Sequence, residues 1–470
     1  MSGFGHSADV EQGVLPARSE GPQLPEFPPA APWRLMPSRP WKLLRPDLLL
    51  VLCLLGIAVG KRLVLLPAWT QLDLDVYRRG AAALAGGRPI YEVVPGQYPF
   101  TYPPFAAILM LPLSLMERAF AIAAVATLSL AAFAVICTIT FRRLQIDRRL
   151  GWFLALGAIS LQPVAQTLEL GQINLALMAV VMLDCLVLPP RYRGIGVGIA
   201  AATKILPGIF VLYFLLRRDW KAVAQSGITF VATLVVSAIV IPGETASYWT
   251  HLKDAATRTG DTISSVNQSL PAVVARLTHD RFPPTVVVAL VSLCGIALAA
   301  LAARKQLAHG HDLAALVCIA IGGLLASPVS WSHHYVWAVP ALIVLFIEKR
   351  TVAAAVGAAI FYVAPWQNMP FDNGVELAYG PWQLLISTAY PLAAVLWLAS
   401  RLSARTATAT TSTYLRDQRP RSGAEFIQEE AITVASRPPG DHRHRGPQGA
   451  DGPRYGHDPA VLEGGVADDI

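Results

Sequence analysis

Long apolar segments recur between residues 47 and 400, and they constrain the fold more than any other feature of the chain. A helix needs roughly 20 mostly apolar residues to cross a hydrocarbon core of about 30 Å. Of the 470 residues, 54% are hydrophobic and 15% are charged, whereas soluble domains contain about 25% charged residues. The pattern excludes a single soluble domain. It predicts an all-α, polytopic membrane bundle of about 10 full spans with additional re-entrant or half-length helices.

The two ends of the chain lack this apolar pattern. Residues 1–40 and 401–470 are rich in Pro, Gly, Arg and Asp without apolar periodicity, which predicts disordered tails on either side of a transmembrane domain at 41–400. The first apolar segment follows a long Pro-rich stretch, so it is a poor match to a cleavable secretory signal. We expect both tails to lie in the cytoplasm.

Basic residues gather in short clusters between the apolar segments, and such clusters mark cytoplasmic loops. The net charge of +7 therefore reflects membrane topology, and we expect no nucleic acid partner. The predicted spans are 47–67, 119–141, 150–164, 173–188, 222–241, 285–303, 312–327, 336–347, 351–364 and 382–400, with a re-entrant or interfacial piece at 104–116 and two half-helices at 194–216 that are broken at Lys204 and Pro207.

This topology brings several polar motifs to the external face of a multi-pass cell-membrane protein. Two acids, Asp73 and Asp75, lie in a polar loop directly after the first span, beside Tyr77. Residues two apart diverge on a helix and share a face in an extended segment, so one acid is expected to act and the other to support it. Exposed loop acids are often merely solvated, but the position of this pair just outside a span favours a functional role.

Further polar residues have two possible interpretations each. The run QYPFTYPPF, which contains Tyr102, fits an aromatic belt or a scaffold for the acid-bearing loop. Gln172 and Asn174 could bind sugar hydroxyls or cap a helix. Lys204 lies in an apolar run, where a charge is costly, so it is either a site residue or a snorkelling side chain.

The segment SPVSWSHHY, with His333 and His334, is the densest polar and aromatic cluster in the chain. Adjacent histidines rarely converge on one metal ion, and no further ligand lies nearby in sequence, so contact with a phosphate or sugar is the favoured role. The motif NQSL contributes Asn267 and Gln268 to an external loop. Basic residues predicted to be external, such as Arg78 and Arg276, fit attraction to anionic headgroups or a lipid phosphate, or ordinary loop charge. The five cysteines lie in apolar runs, and we expect no disulfide and no metal.

The motifs LDLDVY, FTYPPF, GQIN, KILP at 204–207, NQSL and SPVSWSHHY, in this order, resemble glycosyltransferase family 87. The resemblance covers about residues 45–400 and is strongest to actinobacterial mannosyltransferases. It implies a GT-C fold and an inverting enzyme that moves mannose from polyprenol-phosphate-mannose to a mannosylated lipid or glycan, forming an α-1,2 linkage on the external face. Such an enzyme also contacts membrane lipids.

The resemblance further implies that Asp73 is the catalytic base, while Asp75 occupies a position that varies in the family. No nucleotide-binding glycine loop is present, and we expect no cofactor. The phosphate contacts are expected among His333, His334 and Lys204, with the histidines favoured because they share the external face with Asp73. The expected substrate-binding residues are Asp75, Tyr77, Tyr102, Gln172, Asn174, Lys204, Asn267, Gln268, His333 and His334.

Three other functions remain open from the sequence. An arabinofuranosyltransferase of the same family would use a polyprenyl-phosphate sugar, although the acid pattern before Tyr77 favours mannose. A flippase or transporter of a polyprenyl-linked sugar would explain the spans and Lys204 but needs no acid poised beside external aromatic residues. A purely structural membrane subunit would make the grouping of polar motifs a coincidence. The acceptor is open between a phosphatidylinositol mannoside, a lipomannan and another glycan.

Overall fold

A computed structural model describes residues 70–252, 260–371 and 373–403. Within these ranges the chain is helical and has no β-strand, apart from one isolated bridge between Asn267 and Trp331. The predicted first span at 47–67 and the N-terminal tail lie outside the described residues, as does the C-terminal tail from residue 404. The last helix ends at Ser403, so residues 401–403 belong to the helical domain rather than to the predicted tail.

The first half of the described chain consists of helices of very different length. Proline or an aspartate side chain begins several of them, because an N-terminal turn has unpaired N–H groups that proline lacks and aspartate accepts from. The helices are α1 (Leu72–Ala85), α2 (Pro104–Leu109), α3 (Leu111–Leu115), α4 (Arg118–Arg143), α5 (Arg148–Ala158), α6 (Gln162–Leu170), α7 (Asn174–Leu186) and α8 (Ile195–Thr203).

The second half continues this pattern, with a short 3₁₀ helix at Leu206–Phe210 directly after the break at Lys204 and another at Ser332–Trp337. The remaining α-helices are α9 (Val211–Leu216), α10 (Trp220–Val240), α11 (Pro242–Thr250), α12 (Leu270–Thr278), α13 (Thr285–Ala308), α14 (Asp312–Ala326), α15 (Ala338–Ile347), α16 (Thr351–Val363), α17 (Pro381–Ser387) and α18 (Ala389–Ser403).

Three described helices, α4, α10 and α13, are long and apolar enough to cross a membrane, and the number rises to five if the bent pairs α5–α6 and α17–α18 each count as one span. The prediction of about ten full spans is therefore not confirmed. Other apolar helices have only 10–17 residues, about 15–25 Å at 1.5 Å per residue, which is shorter than the hydrocarbon core.

The helices divide into buried and outward-facing groups. In α14, every residue from Leu313 to Leu325 is buried, as expected for a helix that is apolar on all sides and lies at the centre of a bundle. The long helices instead expose large apolar side chains, such as Leu128 on α4, Val231 on α10 and Leu290 on α13. Such exposed apolar surface fits a protein surrounded by lipid.

Two predicted elements have a different local structure. The predicted span at 150–164 is broken, because α5 and α6 meet at 64° and Pro163 lies in the first turn of α6, where proline is tolerated. The two acids that were predicted to lie in a loop are helical, since Asp73 and Asp75 lie in the first turn of α1. The break predicted inside 194–216 is confirmed, because α8 ends at Thr203 and a new helix begins at Leu206.

The turn before α8 depends on a glycine. Gly194 has φ 93°, and its N–H donates to the Asp184 carboxylate at 2.7 Å. A Cβ at this position would lie 2.1 Å from the Ala222 carbonyl oxygen. Only glycine fits, because both the backbone conformation and the available space exclude a larger residue.

We expect Gly194→Ala to lower the free energy of unfolding by roughly 2 kcal/mol or more, from backbone strain and overpacking. Gly227→Ala is the matched control, because Gly227 lies inside α10 and a Cβ added there would have no heavy atom within 4 Å. Alanine is the better helix former, so this change should be neutral or slightly stabilising. Thermal unfolding of the detergent-purified variants would contradict the account if both melted at the same temperature.

Candidate active site

The start of α1 is fixed to the turn between α6 and α7. The Gln71 amide donates to the carbonyls of Leu168 and Glu169 at 3.0 and 3.2 Å. Gly171 lies at this contact with φ 68°. A Cβ there would lie 2.6 Å from the Gln71 side-chain oxygen, so the close approach requires a glycine. These contacts between residues about 100 positions apart place Asp73 beside Gln172.

The helical backbone makes the two acids point in different directions. Asp75 forms an ion pair with Arg118 at 3.0 Å, and Arg118 also donates to the Thr70 carbonyl at 3.3 Å. This pair ties the start of α4 to the start of α1. Sequence reasoning did not identify Arg118, although a basic residue at the beginning of a predicted span was an available signal. Asp75 is therefore drawn away from the groups that surround Asp73.

Asp73 is half-buried and lies outside the apolar helices. Burial raises its pKa to about 6, against the opposing effects of a hydrogen bond from the Gln172 side chain and the positive charge of Lys204. A carboxylate with this pKa is ionised at neutral pH and is a stronger base than an ordinary solvated aspartate.

Lys204 lies at the break between α8 and the following 3₁₀ helix, and its ammonium group stays within the bundle. The Nζ atom donates to Asn174 Oδ1 at 3.0 Å and contacts His334 Nε2 at 2.9 Å. It also lies 5.6 Å from the centre of the Tyr102 ring. An ammonium group can only donate, so His334 Nε2 accepts and Lys204 does not need to snorkel to the membrane surface. Position does not separate Lys204 from the histidines, because Lys204 contacts His334 directly, and the preference for the histidines as phosphate contacts stays a prediction.

The His333 backbone is held on two sides. Its carbonyl accepts from Asn174 Nδ2 and Thr167 Oγ1, each at 3.2 Å. Within the described part of the chain, both ring nitrogens of His333 are buried without a hydrogen-bond partner, which leaves them able to bond a ligand. In the same ranges, no three His, Cys, Asp or Glu side chains come together in a way that could hold a metal ion.

Tyr77, Tyr102 and Gln172 form a compact polar triangle next to Asp73. The Tyr77 hydroxyl donates to Gln172 Oε1 at 2.7 Å, and the two phenol oxygens lie 3.0 Å apart. Gln172 Nε2 donates to the Tyr102 oxygen at 3.0 Å. The three side chains are 0%, 8% and 2% exposed, so the triangle is a buried support for the site.

Asn267 and Gln268 are placed differently from the expectation of substrate contact. Both are 0% exposed. The Asn267 side chain donates to the Thr262 and Pro328 carbonyls and accepts from the Ser330 N–H, whereas the Gln268 side chain donates to Ser265 and Ser387 carbonyls. The Asn267 amide holds the segment before His333 in place, while the Gln268 amide joins Ser265 to the chain near Ser387. The structure does not bring either amide into the cluster around Lys204.

Two of the arginines that were predicted to be external pair with backbone carbonyls. Arg276 is 0% exposed, and its guanidinium donates to the carbonyls of Ile263, Ser264 and Asn267. Arg78 donates to the carbonyls of Leu113 and Met116. Backbone carbonyls rather than lipids are the partners of both residues here. A side chain as buried as Arg276 cannot reach a headgroup, so lipid attraction was wrong for this residue, while for the partly exposed Arg78 it stays a prediction.

An apolar cavity opens below the Lys204 cluster. Lys204, Asn174 and His334 form its polar end, while its walls are apolar residues from α7, α14 and the two 3₁₀ helices, namely Leu177, Met178, Val181, Leu206, Phe210, Leu324 and Trp337. A cation at one end and apolar walls along the rest suit an amphiphilic molecule with an anionic head.

A carboxylate and a cation close to one polar cluster among apolar helices make a candidate active site. Comparison with known families agrees, since the sequence model of Glycosyltransferase family 87 matches residues 100–328. The chain belongs to this family, and it is a glycosyltransferase. No solved structure matches the chain.

Curated relatives extend the match over most of the chain. A polyprenol-phosphate-mannose-dependent alpha-(1-2)-phosphatidylinositol mannoside mannosyltransferase of Mycolicibacterium smegmatis is 32% identical over 76% of this chain and 88% of the relative. The Mycobacterium tuberculosis protein of the same description is 33% identical over 72% and 87%. A second M. tuberculosis protein, described as a pentamannoside mannosyltransferase, is 33% identical over 74% and 86%.

The raised pKa of Asp73 predicts a pH dependence of sugar transfer. Above about pH 6 the carboxylate is charged, and below it the rate should fall roughly tenfold per pH unit as the group is protonated. The measurement is the initial transfer rate with limiting donor between pH 5 and 8, with folding checked at each pH by thermal unfolding. A rate that stays constant down to pH 5 would contradict a role for the Asp73 charge.

Proposed function

We propose that this chain is an inverting α-mannosyltransferase that uses polyprenol-phosphate-mannose as its donor, with Asp73 as the catalytic base. The names of the relatives support the donor and the sugar. The observation that carries the proposal is a buried cation at one polar cluster, where Lys204 Nζ contacts Asn174 and His334, near enough to Asp73 for the two charges to interact. A glycosyl transfer from a lipid phosphate needs a base and a cation on opposite sides of the sugar.

Lys204 is the proposed partner of the donor phosphate. Its ammonium sits where the apolar cavity meets the cluster, so a phosphate bound there would direct the attached isoprenoid chain along the apolar walls. His333 supports the same role, because its buried ring nitrogens have no hydrogen-bond partner among the described residues. Charge-assisted hydrogen bonds to the phosphate would stabilise the leaving group as negative charge develops.

The proposed reaction is a single displacement. Asp73 takes the proton from an acceptor hydroxyl, and the hydroxyl oxygen forms a bond to the anomeric carbon of the β-linked mannosyl phosphate. The bond from that carbon to the phosphate oxygen breaks, and polyprenyl phosphate leaves with the electron pair. Attack from the face opposite the phosphate inverts the configuration, so the product is an α-mannoside. Lys204 is the cation best placed to balance the charge on the departing phosphate.

We propose a phosphatidylinositol mannoside as the acceptor, an α-1,2 linkage as the product and the extracytoplasmic side as the location of the site. The acceptor and linkage rest on the names of the relatives. The orientation is supported by α4, which begins at Arg118 beside α1 and ends at the basic pair Arg142 and Arg143. Its 26 residues separate the two ends by about 39 Å. Basic clusters favour the cytoplasmic side, so we place the Arg142 end there and the Arg118 end, beside Asp73, on the opposite side.

The test compares two neighbouring acids. Asp73→Asn should lower transfer of labelled mannose from polyprenol-phosphate-mannose by about 10²–10⁴-fold, because the amide cannot accept the proton. Asp75→Asn is the matched control, because its carboxylate pairs with Arg118 away from the cluster, and an exposed ion pair contributes little. Its transfer rate should stay within about fivefold of the unsubstituted protein.

Purified protein in vesicles, with the product identified by its linkage, provides the readout for both variants. Equal losses for both variants would remove the special role of Asp73. Full transfer by Asp73→Asn with a changed distribution of lipid-linked sugar between leaflets would instead support a transporter.

A further inference from the structure

The hydrogen bonds around Lys204 start from a group that can only donate. Lys204 Nζ lies 3.0 Å from Asn174 Oδ1 and 2.9 Å from His334 Nε2. An ammonium group has three hydrogens and no lone pair, so Lys204 donates in both contacts and uses two of its hydrogens. Within the described part of the chain, no third hydrogen-bond acceptor contacts Nζ. One ammonium hydrogen is therefore left.

The Asn174 amide has one possible orientation. Its oxygen must face Lys204, because an amide N–H and an ammonium group are both donors and repel each other. Its nitrogen donates to the His333 carbonyl at 3.2 Å, and a carbonyl can only accept. A flipped amide would lose both hydrogen bonds at once. Asn174 therefore joins the Lys204 ammonium to the backbone of the 3₁₀ helix at Ser332–Trp337.

The His334 ring has one possible tautomer as well. Its Nε2 atom accepts from Lys204, so the ring is neutral and carries its hydrogen on Nδ1. A ring turned over by 180° would place a carbon atom against Nζ and would lose this contact. Among the residues that the structure describes, His334 Nδ1 is buried without a hydrogen-bond partner. The acceptor role of Nε2 is therefore the only contact of this ring with a charged group.

Both direct partners of the ammonium are uncharged, and this keeps its positive charge available. None of the ion pairs among the described residues includes Lys204. A carboxylate in hydrogen-bond contact would offset much of the ammonium charge, and a phosphate would then gain less from binding there. Asn174 and His334 are 8% and 9% exposed, and with Lys204 they form the polar end of the apolar cavity.

We propose that Asn174 and His334 are positioning residues that hold the Lys204 ammonium with neutral acceptors and leave one hydrogen and an unpaired charge for the donor phosphate. This inference rests on the proposed function, because it takes Lys204 as the phosphate contact. It assigns His334 to act on the phosphate through Lys204. It also replaces the expectation that Asn174 binds sugar hydroxyls.

Asn174→Asp tests whether the acceptor beside Lys204 must be neutral. The carboxylate keeps an oxygen for the ammonium at similar volume but brings a negative charge against it. The donor KM should rise about tenfold or more, because Lys204 then pairs with the protein instead of the phosphate. The acceptor KM should change less than about threefold, because the lost interaction concerns only the donor. A donor KM that stays unchanged would overturn the inference, as would an equal rise of both KM values.

Gln162→Glu is the matched control, because it makes the same change of amide to acid at a buried position beside the same 3₁₀ helix. Gln162 is 1% exposed, its Nε2 donates to Ser332 Oγ at 3.1 Å, and its Oε1 accepts from the Tyr390 hydroxyl at 2.9 Å. None of these hydrogen bonds reaches Lys204. The ratio of donor KM to acceptor KM should therefore stay unchanged, and a ratio that rises as much as in Asn174→Asp would overturn the inference.

Two substitutions of His334 separate positioning of Lys204 from direct contact with the phosphate. The Gln amide oxygen is as many bonds from Cβ as Nε2 is, so His334→Gln still accepts from Lys204. The Asn amide ends at the position of Nδ1, so His334→Asn does not reach Lys204. The donor KM should stay within about threefold for His334→Gln and rise about tenfold for His334→Asn. The reverse order would overturn the inference and assign the phosphate contact to the Nδ1–H group.

Nitrogen-15 NMR of the His334 ring separates this inference from the proposed function, because it needs no activity. The protein with labelled histidine is measured in lipid bilayers at neutral pH, and the His334 signal is the one lost in His334→Gln. We expect a neutral ring with its hydrogen on Nδ1 and an Nε2 resonance that shifts in Lys204→Met. A hydrogen on Nε2, or an Nε2 resonance that is unchanged in Lys204→Met, would overturn the inference. The expected tautomer together with full transfer by Asp73→Asn would keep the positioning of Lys204 and overturn only the role of Asp73 as base.

Discussion

The need to satisfy the Lys204 ammonium inside an apolar bundle determines how the site is assembled. A lysine in the apolar region costs several kcal/mol unless it finds polar partners. Here the helix breaks at Lys204, and the partners come from the start of α7 and from the 3₁₀ helix at Ser332–Trp337. Three elements far apart in sequence are therefore joined at one charged group. The same cluster forms the polar end of an apolar cavity.

The Asp73 charge acts on Lys204, but Asp73 lies on α1, an element that does not hold Lys204. The Gln71 contacts dock α1 on the turn before α7, and the first turn of α1 then directs Asp73 toward Gln172 and Asp75 toward Arg118. Burial at this position raises the pKa of the acid to about 6. Base and cation are thus positioned by separate supports, which suits a reaction in which the sugar lies between acceptor and phosphate.

Local signals in the sequence predicted the break at Lys204 and most helix positions, because a charge and a proline in an apolar run disrupt a helix wherever it packs. The predicted topology placed Asp73, Gln172, Asn174 and His334 on one face, which stays a prediction, and the structure brings Asn174 and His334 together at Lys204. The partners of Asn267 and Arg276 could not be predicted, because each pairs with backbone groups that only the folded bundle brings near. The bend between α5 and α6 was missed because the apolar pattern continues across it.

A donor-bound structure is the most direct test of whether the donor lies between Asp73 and Lys204. The experiment is cryo-electron microscopy of the protein in lipid nanodiscs with a phosphonate analogue of polyprenol-phosphate-mannose, whose carbon linkage prevents transfer. The account predicts the phosphonate within hydrogen-bond distance of Lys204 Nζ, the isoprenoid chain in the apolar cavity and the anomeric carbon facing the Asp73 side of the cluster. A phosphonate bound at Arg118, or a sugar on the far side of Lys204 from Asp73, would contradict it.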